Sequence, residues 1–187
     1  MKINQSVMLS NAATFGLLLA GTQFLLTLLY WIFDVSMTSV VTSMMLGLVT
    51  LVVVIVFYWL SNKTLRDKHL GRSLTFGQGF VNLLITGLVS FIVGSILTYI
   101  FYKFIAPDYL AKMGEKVLAM VQSSPNVPQE TIDKIQAQYA NITPESSVLK
   151  SAPWGLGFIV VLSLIISAFT KKNPDIFAAE NIDEEEK

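Results

Sequence analysis

Two uncharged runs lie almost end to end near the start of the chain: Ala12–Phe33, AATFGLLLAGTQFLLTLLYWIF, and Met37–Leu60, MTSVVTSMMLGLVTLVVVIVFYWL, parted only by Asp34-Val35-Ser36. At a rise of about 1.5 Å per residue, the first run as a helix crosses a hydrocarbon core of roughly 30 Å. A secretory signal would instead carry an apolar stretch of about 7 to 15 residues, a small-residue cleavage site and then a soluble chain. Here a second apolar run follows at once. Its polar side chains are Thr38, Ser39, Thr42, Ser43, Thr50 and the amphipathic Tyr58 and Trp59, all compatible with a span. The pair therefore reads as a hairpin of two transmembrane helices with a tiny turn at Asp34–Ser36.

A third run extends from Phe80 to Ala106, charged only at Lys103 near its end, where a long side chain reaches the headgroups. A fourth, Trp154 to Phe169, is shorter, follows Pro153, and borrows a turn from Val148–Ala152. Backbone polar groups must be satisfied internally in lipid, and these runs are too long for the alternating strands of a barrel. The expected fold is thus all-α: an integral membrane bundle of four transmembrane helices over about 12–33, 37–60, 77–106 and 149–170. An extracytoplasmic amphipathic helical insertion, 107–148, lies between the third and fourth. A soluble bundle with a buried core is disfavoured by four uncharged runs of this length.

Composition agrees with the bilayer as solvent. Hydrophobic residues make up 53% of the chain and charged ones 14%, where a soluble domain carries about 25% charged residues. Thirteen Lys and Arg balance thirteen Asp and Glu, so the basic excess that neutralises phosphates is missing and no nucleic acid is expected as partner. With no cysteine and one histidine, disulfides, thiolate metal sites and thiolate nucleophiles are excluded. Lys63, Arg66, Lys68 and Arg72 crowd the connection Ser61–Thr75, and Lys171 and Lys172 follow the fourth span. The positive-inside rule puts both on the cytoplasmic side, with both termini, leaving the Asp34 turn and Pro107–Lys150 outside. Tyr30, Trp31, Tyr99, Tyr102 and Trp154 then fall at the outer boundary, and Phe57, Tyr58, Trp59 and Phe169 at the inner one.

Outside the bilayer, Leu110, Met113, Val117, Met120 and Val121 recur at helical steps, and after Ser123-Ser124-Pro125-Asn126 so do Ile132, Ile135, Tyr139 and Ile142. Pro128 suits a first helical position. This pair is expected to cap the bundle or lie on the outer leaflet, with a partner-binding surface as the alternative. The stretch 173–187, with Glu180, Asp183, Glu184, Glu185 and Glu186, reads as a solvated acidic cytoplasmic tail.

Chemistry is sparse. No Asp, Glu, Lys, Arg or His sits at mid-span, where proton-coupled carriers place them. Asp34 reads as a turn residue, Asn82 as an interhelical hydrogen-bonding group, and His69 as a polar residue in a basic loop. Gly77-Gln78-Gly79 is too weak a pattern for a phosphate loop. No catalytic constellation, metal-ligand cluster or cofactor motif is found, so none of the three is expected. Small residues give the clearer pattern: Gly16 and Ala20 on the first span, Ser39, Ser43 and Gly47 on the second, Thr86, Ser90, Gly94 and Thr98 on the third, and Ser163 and Ser167 on the fourth. Such rows let helix backbones approach closely, and Gly94 is the expected point of tightest contact. A hydroxyl-lined pore would use similar residues.

Three pieces carry a family resemblance: Ser73-Leu74-Thr75-Phe76-Gly77-Gln78-Gly79-Phe80 entering the third span, Tyr102-Lys103-Phe104-Ile105-Ala106-Pro107-Asp108-Tyr109 leaving it, and Ser167-Ala168-Phe169-Thr170-Lys171-Lys172-Asn173-Pro174 closing the fourth. In order and spacing they resemble the bacterial four-span membrane proteins grouped as domain-of-unknown-function family 4199, with Gly79 where alanine is more usual. The resemblance implies a compact inner-membrane protein and transfers no activity or catalytic residue. The resulting expectation is a non-enzymatic protein of the bilayer that works by helix association, as a homo-oligomer or with other membrane subunits. The alternative is a small channel or uncoupled transporter formed by oligomerisation.

Overall fold

The computed structural model describes residues 5–35, 40–124 and 127–172. Ser39 and the acidic tail 173–187 lie outside them. Six α-helices follow in order: α1 (Gln5–Ile32), α2 (Val40–Thr64), α3 (Phe76–Ile100), α4 (Tyr109–Gln122), α5 (Gln129–Ala140) and α6 (Pro144–Thr170). Among the described residues the only strand-like feature is a single antiparallel bridge, Leu74 to Lys172. Both α2 and α3 run on into a π-helical turn, Leu65–His69 and Phe101–Ile105. With these turns, four helices are long and apolar enough to cross a membrane: Gln5–Ile32, Val41–His69, Phe76–Ile105 and Pro144–Thr170, with mean hydropathy between 1.7 and 2.4.

Helix ends differ from the sequence expectation for local reasons. The basic stretch after Leu60, expected as a connection, stays helical to His69, and the chain reverses only at Gly71 and Arg72, both at positive φ. At α3 the expected start holds because Thr75 and Gln78 form a reciprocal capping box. The fourth long helix begins at Pro144, several residues before the expected 149, because Thr143 and Ser146 form a second capping box with proline in the first turn. Pro153 is accommodated inside that helix. In the insertion, Pro128 precedes the first turn of α5 as its N-cap instead of occupying it.

The bundle is built on α3, which packs most extensively against α1 and α6. Leu19, Tyr58, Leu83, Leu162 and Ile166 form the buried apolar centre. Glycines set the closest approaches: a Cβ at Gly16 would lie 2.8 Å from the Thr86 carbonyl oxygen and from Val89, and one at Gly155 would lie 2.8 Å from the Phe91 ring. A Cβ at Gly87 would strike the Tyr58 hydroxyl and come within 2.6 Å of Ile159. The second helix is peripheral. From Leu51 onward it joins the core through Leu51, Val53, Val54 and Phe57, whereas Val41, Met44, Met45, Leu48 and Val49 are exposed.

Candidate functional site

A buried polar cluster ties all four long helices together at one end. Asn11 of α1 donates through Nδ2 to the Ser61 carbonyl at 3.2 Å and to Asn82 Oδ1 at 3.1 Å. Asn82 of α3 donates through its own Nδ2 to Ser61 Oγ at 2.9 Å and Asn62 Oδ1 at 3.0 Å. From α2, Asn62 Nδ2 donates to Thr170 Oγ1 of α6 at 2.8 Å, and Ser61 Oγ lies 3.2 Å from Thr86 Oγ1. Thr86 and Thr170 each pass their hydroxyl proton to the carbonyl one turn back in their own helices, Asn82 and Ile166. All six residues are buried. In an apolar surround, an unpaired amide is costly while a fully paired network fixes one arrangement.

The same end is closed from beyond the cluster. Leu74 and Lys172 exchange both backbone hydrogen bonds, at 2.8 and 2.9 Å, joining the connection after α2 to the end of α6. Leu65, Leu70 and Leu74 form a small apolar plug with Met8 against it. Gly79 sits within this region: a Cβ there would press to 2.9 Å from Asn62 Nδ2. That contact gives the residue a physical reason where the family resemblance led to alanine. Gln78 is spent on the helix cap, receiving the Thr75 backbone N–H at 3.0 Å.

The small-residue rows divide between closed and open surfaces. Gly16, Ala20, Thr86, Ser163 and Ser167 are buried in the bundle. Ser43, Ser90, Gly94 and Thr98 are only partly buried, Gly47 is exposed, and Cβ atoms at Gly47 and Gly94 would meet nothing within 4 Å. Gly94 is therefore not the tightest point within the chain; Gly87 is tighter. The cause is helical phase. A row taken at strict four-residue steps winds about 40° around the axis at each step, so Gly94 and Thr98 have turned well away from Thr86. The buried face of α3 instead follows alternating steps of three and four, through Gly79, Asn82, Leu83, Thr86 and Gly87.

At the opposite end the links are aromatic and ionic. Asp34 adopts a positive φ of 47°, as a turn residue at the end of α1, and its Oδ1 accepts from Lys116 Nζ of α4 at 3.0 Å. Phe101, fully buried, stands edge-on to Trp31 at 5.9 Å and to Tyr109 at 5.3 Å. The π turn makes this cluster: the Ala106 N–H reaches back five residues to the Phe101 carbonyl at 2.8 Å. A cavity of about 500 Å³ opens here, lined by Tyr30, Trp31, Asp34, Tyr109, Lys112 and Lys116 among others. Burial pushes the Tyr109 phenol above its usual range; Lys116 opposes the shift and Asp34 adds to it. The α4–α5 pair forms a hairpin in which Gly114 lies flat against Tyr139, 2.8 Å from an added Cβ.

Residues 14–172 match the family described as a protein of unknown function, DUF4199. The chain belongs to that family. No curated protein and no solved structure matches it. A DUF4199 chain with four helices fit to span a membrane points to a multi-pass membrane protein.

The sequence singled out Asn82, Thr86 and Ser167, and the structure brings Asn82 and Thr86 into the cluster. It missed Asn11, Ser61, Asn62 and Thr170. Their signal was positional: each stands at the edge of an apolar run, at the end where Lys and Arg gather.

Proposed function

We propose that this DUF4199 protein is a multi-pass, non-enzymatic component of the bacterial inner membrane, with both termini cytoplasmic, that works by helix association, chiefly as a homo-oligomer. The carrying observation is the contrast among glycines of the long helices: Gly16, Gly87 and Gly155 are closed by neighbours, while Gly21, Gly47, Gly94 and Gly157 stand open. Apolar exposure alone says nothing, since lipid tails are as apolar as leucine; a small residue left uncovered is what permits close backbone contact. Gly47 lies fifteen residues from Asn62 and Gly94 twelve from Asn82, so both stand roughly 20 Å from the polar cluster. One chain thus supplies open small-residue positions on each of its four long helices, which favours a second copy as the partner. The cytoplasmic assignment of the clustered end is supported by Lys63, Arg66, Lys68, Arg72, Lys171 and Lys172.

The chain has no native cysteine, so single-cysteine cross-linking in membranes reads out cleanly. Ser43→Cys on the open face of α2 is expected to give a disulfide-linked dimer on oxidation, and Ser163→Cys in the buried face of α6 to stay monomeric. Monomer at Ser43→Cys with a foreign subunit bound instead would transfer the reading to an accessory role. A closed oligomer that leaks a solute from liposomes would favour the channel.

A further inference from the structure

A second cavity, of about 650 Å³, lies between the first turns of α1 and the end of α2, at the basic end of the bundle. Lys68 and His69 line it from the π turn of α2, and from α1 the hydroxyls of Ser10 and Thr14 line it beside the apolar Val7 and Phe15, with the buried Asn11 among them. None of its lining residues is acidic. Asp67, next to Lys68 in sequence, is taken by Arg66 Nε at 2.8 Å, so among the described residues no carboxylate in the lining pairs with Lys68. Two features point the same way. A π turn is rare and often marks a functional position, and here it carries Lys68 and His69. The groove also lies between two helices long and apolar enough to cross a membrane.

We propose that this groove binds the phosphate headgroup of an anionic phospholipid, with Lys68 and His69 at the phosphate, the α1 hydroxyls at the glycerol level and an acyl chain running past Phe15. Basic pockets between helices at the cytoplasmic surface are suited to such headgroups. A free anion would account for Lys68 and the hydroxyls but not for the apolar Val7 and Phe15 in the same lining, which favours the lipid as the source of the phosphate.

The test uses the full chain in nanodiscs of phosphatidylcholine containing a minor fraction of phosphatidylglycerol, extracted gently and weighed by native mass spectrometry. The parent should retain phosphatidylglycerol in preference to phosphatidylcholine. Lys68→Gln should reduce that retention about fivefold, and Ser10→Leu, which fills the groove without changing charge, should reduce it as well. Lys63→Gln is the control: Lys63 is at the same end but lies over the Trp59 ring at 4.7 Å, and its loss should leave retention unchanged. Equal retention of the two lipids would overturn the proposal. So would an equal loss in Lys63→Gln and Lys68→Gln, which would mean bulk attraction, or displacement of the lipid by excess inorganic phosphate, which would mean a free-anion site.

Discussion

The two ends of the bundle are held by different physics. At the basic end, Asn11, Ser61, Asn62, Asn82, Thr86 and Thr170 hydrogen-bond across all four long helices, out of contact with water. At the other end, the links are two exposed ion pairs, Asp34–Lys116 and Lys103–Glu145, and a set of ring contacts around Phe101. A hydrogen-bonded network specifies one geometry, because a shifted helix leaves buried amides unpaired, whereas ring contacts and solvated ion pairs tolerate adjustment. The fold is thus fixed at one end and adaptable at the other.

The comparison breaks most readily at the glycines. Gly87→Leu forces a side chain into Tyr58 and Ile159 and is expected to cost about 1 to 3 kcal/mol or to prevent folding. Gly94→Leu, with open space at its Cβ, should melt within a few degrees of the parent in the same detergent. If Gly94→Leu collapses and Gly87→Leu does not, the closed and open faces have been exchanged.

Next in size is Asn82→Leu. It leaves Asn62 Oδ1 without its donor and removes one acceptor of the Asn11 amide, to which the Ser61 carbonyl remains, at an expected cost of about 1 to 3 kcal/mol. Thr98→Val, on the partly buried outer part of α3, should cost far less. Thermal aggregation of the two variants, side by side, reads the difference between the ends.

A smaller effect is set by pH. Burial raises the Tyr109 pKa above that of the unfolded chain, so the folded state disfavours the phenolate. The resulting stability is fully present below the unfolded phenol value, near 10, and is lost as pH climbs through the folded one. An ultraviolet phenolate titration should show a late phase that loses one phenol's share of its amplitude in Tyr109→Phe. A titration unchanged by that substitution would remove Tyr109 from the protected cluster.

The smallest expected change is Asp34→Asn. Its side chain is 82% exposed, so losing the Lys116 pair should cost under about 1 kcal/mol and vanish at high salt. A larger, salt-independent loss would mean that the outer end is as firmly fixed as the inner one.

Much of this architecture was legible in the residues. Uncharged length alone gave four helices, and the alternation of Lys and Arg gave their antiparallel order, now visible in how the starts of α1 and α3 meet the ends of α2 and α6. What escaped was phase and edge. A four-residue row at Thr86, Ser90, Gly94 and Thr98 looks like one face on paper but winds off it in space. Asn11, Ser61 and Asn62 sit just beyond the apolar runs Ala12–Phe33 and Met37–Leu60, where a polar residue reads as the start of a loop. Only the helical continuation of α1 back to Gln5 and of α2 on to His69 places them inside the bundle.

The claim that the outer half of α2 is open in one chain and covered by a second copy is tested most directly by the mass of the detergent-extracted protein beside that of Gly47→Leu. The parent should run as a multimer, and Gly47→Leu, whose added Cβ has open space for 4 Å among the described residues, as a folded single chain. A parent of single-chain mass, or a variant that keeps the parent's mass, would contradict the account.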